Sequence, residues 1–469
     1  MFYNTVMNSK KINYVLIVIW LFIVVFTMFH HEIWRDEARV WWFVRDLNYK
    51  ELFNSIRGDG HPYLWYLVLL PFAKSGFSPF VMQIMAVISV FFSVCIFCFK
   101  SEFNLLIKLL FIFSSGMLYF MPVIARNYAL IPLILFAIAL IYPKRNKSPF
   151  LYTAGIILLS QTHMLMWGAC FILSILFIIE QIKNKEKYAM VTFLIFIIYA
   201  IVSAYIYLPV IFLKGAFFHS HIAKNVLSPV HLSIFSDMKN LIMNMLICPK
   251  VYKYIYISSA LLLIGIILKI NYKAFLIFLF STGFMLYVFV HIWFEGVPYQ
   301  KFFLITLILV FCSMILHSKS KFDNIMLQIS LSIFLAVSFY VFNPVKLIEQ
   351  EIKYKFTNTK EIADFYNKNI KSNKKIFLVD ISYVLDDTWK VFLHSIDGVN
   401  YKPKDDYVQK INEEIQKRPF AQYLIVNSKY RKFINQTNYI PVIKINYRDR
   451  VSVYGFNAEE YYYLYKIRS

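Results

Sequence analysis

In the stretch HEIWRDEARVWW, residues 31–42, two carboxylates, Asp36 and Glu37, stand side by side between Arg35 and Arg39. They follow an almost wholly apolar run from Asn13 to Phe29. Charges kept at the edge of hydrocarbon are costly and mark functional candidates. A carboxylate such as Asp36 can act as general base on a hydroxyl, a contribution of about 10²–10⁴ in rate. Arg126 and Lys301 can hold a phosphate, the arginine by two-point contact and the lysine as a point charge. A base and a phosphate clamp together suit displacement of a lipid phosphate from a sugar. The hydroxyl attacks the anomeric carbon, and the phosphate leaves as an anion stabilised by the cations.

Further polar groups stand at comparable positions. GDGHPYLWY supplies Asp59 and His61, VIARNYAL supplies Arg126 and Tyr128, SQTHMLMW supplies His163, and HIWFEGVPYQKFF supplies His291, Glu295 and Lys301. A plainer alternative stands beside each. Neighbouring Asp36 and Glu37 point about 100° apart on a helix, so they are not a ready-made pair on one face. Either is equally an ordinary carboxylate at a helix start. Arg39 suits lipid headgroups, and Trp34, Trp41 and Trp42 suit an interfacial aromatic belt. His163 fits a satisfied polar turn as well as a site. His30, His31 and Glu32 offer metal-ligand types without ligand spacing.

What must position these groups is a bundle of membrane helices. The 469 residues are 59% hydrophobic and 16% charged, with a mean hydropathy of +0.56. Apolar runs recur at roughly the 17–25 residues needed to cross about 30 Å of hydrocarbon. They lie near 12–30, 77–99, 104–121, 125–142, 149–164, 165–181, 188–213, 254–270, 273–294, 299–317 and 322–343. The expected fold is therefore an α-helical polytopic membrane protein of about eleven transmembrane helices, since spans must satisfy their own backbone. With a cytoplasmic N-terminus as a retained signal anchor, the basic loops at Lys100, Lys144–Lys147, Lys183–Lys187, Lys269–Lys273 and Lys319–Lys321 fall on one side, as the positive-inside rule requires. Residues 62–75 are then too short to cross; if they do cross, the count becomes twelve and the basic loops move outside. The outer loops are 31–76 and 214–253, the latter carrying His219, His221 and His231.

Residues 1–344 form the expected membrane domain, and 345–469 a small soluble α/β domain on the extracytoplasmic face. There KKIFLVD, AQYLIVN, PVIKINY and YYYLYKI read as strands, and KEIADFYNKNI and DDYVQKINEEIQK as amphipathic helices. The net charge of +22 is scattered lysine in short loops, without the basic stripe or stacking platform of a nucleic-acid binder. Cys95 and Cys98 lie inside an apolar run and read as buried thiols, and five cysteines make no disulfide framework.

RDEARVWWFVRD, GDGHPYLWYLVLLP and VIARNYALIPLILF, in this order, resemble the GT-C class of integral-membrane glycosyltransferases, nearest the bacterial family 39 or protein-mannosyltransferase-like type. The likeness covers about residues 12–145, with hydropathy alone beyond. It implies a transferase that uses a polyprenyl-phosphate-linked sugar and a cell-envelope acceptor. It also implies a first-loop base at Asp36 with Glu37 as neighbour, and His61 in the place of the family's Gly-His-Pro-Pro histidine. Tyr63 departs from that motif, standing where its second proline would be. Lys301 matches the later basic motif poorly. Donor phosphate and sugar would fall to His61, Arg126, Tyr128, His163 and Lys301. Metal dependence varies within the class, so no metal is carried over and a divalent cation stays open. Two other classes compete: a polysaccharide repeat-unit polymerase, and a lipid-linked glycan transporter or flippase. The carboxylates directly after the first span argue against the polymerase. A transporter calls for internal repeats and midplane charges, and neither is visible.

Overall fold

The computed structural model describes residues 2–33, 35–59, 61–212, 250–291, 298–316, 320–353, 359–369, 376–379, 399–401, 407–417, 421–427, 431, 439–442 and 462–467. Among them, eight helices are long and apolar enough to cross a bilayer, and three shorter apolar helices accompany them. The chain is a multi-pass membrane protein. Two compact units divide it: residues 1–28, 48–69 and 83–347 form the first, and 29–47, 70–82 and 348–469 the second.

The first unit is helical. It holds most of α1 (Phe2–His30), α3 (Tyr49–Asp59), the start of α4 (Leu64–Lys74) and most of α5 (Phe80–Lys100). It continues with α6 (Leu105–Ile112), α7 (Leu130–Ile141), α8 (Pro149–Ser160), α9 (Trp167–Lys183) and α10 (Ala189–Phe212). The later helices are α11 (Lys250–Ile270), α12 (Tyr272–His291), α13 (Pro298–Met314) and α14 (Lys321–Val341). Helix α11 packs along α14, α9 along α12, and α7 along α8. At the α9–α12 crossing a Cβ on Gly168 would lie 2.9 Å from the Phe280 carbonyl oxygen. Only a glycine admits so close an approach of two helices. The outward faces stay apolar, as on α10, where Ile198, Ile201 and Tyr205 are exposed.

One expected span differs from a plain helix. The run 104–121 contains only the eight-residue α6, then a π turn over Gly116–Phe120 and further turns before a 3₁₀ turn at Asn127–Ala129. Hydropathy reads this run as a crossing because its residues are apolar, but Ser114, Ser115, Gly116 and Pro122 favour a break. Every residue from 114 to 132 is buried. Irregular backbone at membrane depth is tolerated only under such cover. The freed Met117 carbonyl accepts a hydrogen bond from Trp20 Nε1 at 3.0 Å. A Cβ on Gly116 would sit 1.7 Å from the Phe303 ring, so the ring fills the space that a side chain would need.

Helix α10 shows a related repair. Pro209 has no N–H for the Tyr205 carbonyl four residues back. Arg57 from α3 donates instead, Nη2 to Tyr205 O at 3.2 Å and Nε to Ile206 O at 2.5 Å.

The second unit contains α2 (Arg35–Asp46), the end of α4, most of α15 (Pro344–Lys353), and a five-stranded sheet. The strands are β1 (Ile376–Val379), β2 (Val399–Tyr401), β3 (Tyr423–Asn427), β4 (Tyr439–Pro441) and β5 (Tyr462–Ile467), in the order β2-β1-β3-β5-β4. The first three run parallel, and β5 turns antiparallel to β3 and β4. Between β2 and β3, which flank β1 on either side, lies α17 (Tyr407–Gln416), a helical crossover of the kind that strands running parallel need. The helix α16 (Thr359–Asn369) precedes β1, and its Ile362 and Ala363 are fully buried. Leu424, Ile425 and Val426 make β3 the apolar centre. Strand β2 is an addition to the sequence pattern: Val-Asn-Tyr beside a glycine carries no strand signal of its own.

Candidate functional site

Among the described residues, each unit carries a buried cluster built around histidine. In the first, three chain segments meet at the N-terminal ends of α4, α7 and α9. The break that precedes α7 leaves Arg126 extended, at φ −118° and ψ 171°. Asn127 Nδ2 donates to the Thr162 carbonyl at 2.7 Å, and the Leu64 amide to the Gln161 carbonyl at 3.3 Å. Ser89 Oγ donates to the Ala129 carbonyl at 2.9 Å. These bonds hold the side chains of His61, Arg126, Tyr128 and His163 together. All four are buried.

Arg126 Nη2 lies 2.7 Å from His61 Nε2. A guanidinium can only donate, so His61 Nε2 is the acceptor and the ring carries its proton on Nδ1. His163 caps the 3₁₀ turn Met164–Met166, its Nδ1 accepting from the Leu165 amide at 3.1 Å. Its proton therefore sits on Nε2. Burial, with His61 and Arg126 beside it, holds the His163 pKa well below the ordinary value, so the ring is neutral. The Tyr128 ring stacks on His163 at 4.6 Å between centroids, His61 lies 5.2 Å from His163, and the Arg126 guanidinium stands 5.6 Å over Tyr128. An arginine and two imidazoles thus share one low-dielectric place, both rings with the proton turned away from the bonds that fix them. Such a set of side chains has the donor chemistry to bind an anion.

No protein-family model matches the chain, and no curated protein does.

Beside the cluster runs an aromatic row. Tyr63 stacks on Phe53 at 5.1 Å and stands 6.1 Å from Tyr207, which lies 5.5 Å from Trp167. Tyr63 OH donates to the Phe53 carbonyl at 3.3 Å, and burial pushes the phenol up to about 12.

In the second unit, Asp36 and Glu37 open α2. Glu37 is fully buried and lies 3.0 Å from His31 Nε2, while Glu351 of α15 lies 2.9 Å from Nδ1 of the same ring. All three side chains are withdrawn from solvent. Burial alone would lower the pKa of His31, but the two carboxylates outweigh it and raise the value to about 10. His31 is an imidazolium bridge, with neither ring nitrogen aimed at an ion. Among the described residues no group of three or more His, Cys, Asp or Glu is arranged to hold a metal. Asp36 is half-buried on the flank next to Glu37. The far end of α2 is held by Lys74 Nζ, which donates to the Arg45 carbonyl at 3.0 Å and the Leu47 carbonyl at 2.6 Å.

Of the remaining candidates, Lys301 lies in the first turn of α13, with its side chain outside the described residues. So do the side chains of Asp59 and His291, and the whole of Glu295 and of the segment 213–249 with its three histidines. Sequence reasoning missed Asn127 and Glu351. The first was readable as an amide between Arg126 and Tyr128; nothing local marks the second.

Proposed function

We propose that the protein is a glycosyltransferase that moves a sugar from a polyprenyl-phosphate donor to a cell-envelope acceptor on the extracytoplasmic side of a cell membrane. The N-terminus is cytoplasmic and the C-terminal sheet extracytoplasmic, in keeping with the single-sided basic loops. In this reaction Asp36 takes the proton of the acceptor hydroxyl as its oxygen bonds to the anomeric carbon. The bond from that carbon to the phosphate oxygen breaks, and the lipid phosphate departs with the electron pair. Arg126, with the His61 and His163 N–H groups, receives the anion; a set of fixed donors at a developing charge is the usual source of large rate effects. The donor's tail stays in the bilayer, so the chemistry calls for no nucleotide-binding domain.

The observation that carries this reading is the Arg126–His61 bond at 2.7 Å inside a buried, donor-rich cluster. Its test compares wild type with Asp36→Asn for release of polyprenyl phosphate from polyprenyl-phosphate sugars. Asparagine keeps the size and polarity but takes no proton. A loss of about 10² or more in rate supports the base. Equal rates make Asp36 a boundary carboxylate. If no donor reacts with wild type, the repeat-unit polymerase or the transporter takes its place.

A further inference from the structure

The transferase chemistry uses Asp36 but leaves a fully buried ion cluster beside it unexplained. A histidine between two carboxylates is an expensive thing to bury. Replacing such a cluster with apolar groups is often neutral or stabilising, so its presence calls for a geometric reason. The geometry is specific. His31 is the first residue after α1, Glu37 lies in the first turn of α2, and Glu351 arrives from 320 residues further along. Glu37 and Asp36 are adjacent, so fixing the direction of one fixes the other about 100° around the helix. With Lys74 on its last carbonyls, α2 is held at both ends.

We propose that His31 and Glu351 are positioning residues for Asp36: helix α15 reaches through the His31 ring to Glu37 and sets the rotation of α2. This rests on Asp36 acting as the base. It gives the C-terminal segment a part in the reaction, because the stretch of chain that carries the sheet also carries Glu351. Among the described residues, the charged groups facing the ring are Glu37 from α2 and Glu351 from α15.

The test uses the full chain in detergent and three variants, Glu351→Gln, His31→Gln and the two combined. Backbone hydrogen exchange is followed over residues 35–46, and histidine C2–H exchange at His31. In Glu351→Gln, exchange across α2 rises about tenfold or more while α7 and α8 stay as in wild type. The midpoint of His31 falls well below that of wild type, because one of its two carboxylates has gone. Polyprenyl phosphate release drops at unchanged donor KM, and the double variant loses no more than the worse single one, as expected of residues that act as a unit. Unchanged exchange in α2, or losses that multiply in the double variant, would overturn the brace. If wild type releases no polyprenyl phosphate, the transferase reading fails, and the exchange of α2 still decides whether Glu351 positions it.

Discussion

Two buried histidine clusters sit in the two units of this chain, and they are built on opposite plans. The His31 cluster is closed: a cation lies between two carboxylates, and both ring nitrogens are engaged at 2.9 and 3.0 Å. In the His61 cluster the rings accept from a guanidinium and a backbone amide, which turns their protons to the opposite nitrogens. The first arrangement neutralises charge and fixes a helix. The second collects positive potential in one place. The same residue type does both jobs, and what decides is whether its partner is a carboxylate or a donor.

The largest effect comes from opening the closed cluster. His31→Ala leaves two carboxylates facing each other without their cation, and breaking a buried pair in this way costs about 3–5 kcal/mol. Thermal melting in detergent reads it as a marked loss in Tm, while a loss within error would show that the cluster holds nothing. Arg126→Ala is next: removing one fixed donor from a site of developing charge lowers turnover about 10²-fold, or roughly 2.7 kcal/mol. Stability falls by about 1–3 kcal/mol as the buried His61 Nε2 loses its donor, and Arg126→Lys restores only part of the activity because an ammonium lacks the planar fork.

Smaller effects sharpen the contrast. Gly116→Ala forces the Phe303 ring out of its place and costs about 1–3 kcal/mol by overpacking. Its turnover falls with Arg126 displaced, whereas α2 exchange is unaffected. The pH dependence separates the clusters by sign. The folded pKa of His31 lies at about 10, above its ordinary 6.5. Its stabilising contribution is complete below about 6.5 and is lost as pH rises through 10. Wild-type Tm therefore declines between pH 8 and 10, and His31→Gln flattens that slope. Depressed His163 stays neutral across the same range and adds nothing to it.

Much of the architecture follows from local pattern. Runs such as Phe80–Lys100 and Ala189–Phe212 are helices because they are long and apolar, with no charge or glycine in their interiors, and β1, β3 and β5 follow from short β-branched and aromatic runs between turns. The segment 104–121 shows where hydropathy stops being informative, because it records the solvent and not the backbone. His61, Arg126, Tyr128 and His163 were readable one by one as polar residues at helix ends. Their mutual geometry was not, since it depends on the Asn127 and Leu64 hydrogen bonds to the turn after α8. Glu351 was beyond reach altogether. Its partner is 320 residues away, and PVKLIEQEIK reads as any amphipathic helix.

The most direct test of the donor-rich cluster is binding without chemistry. Polyprenyl phosphate, the leaving group alone, is titrated into wild type and Arg126→Ala in the same detergent, with an uncharged polyprenol of equal length as control. If the cluster receives the departing phosphate, wild type binds the phosphate well above the alcohol, and Arg126→Ala binds the two alike. Equal affinity of wild type for phosphate and alcohol, or a preference for phosphate that survives the loss of Arg126, would contradict it.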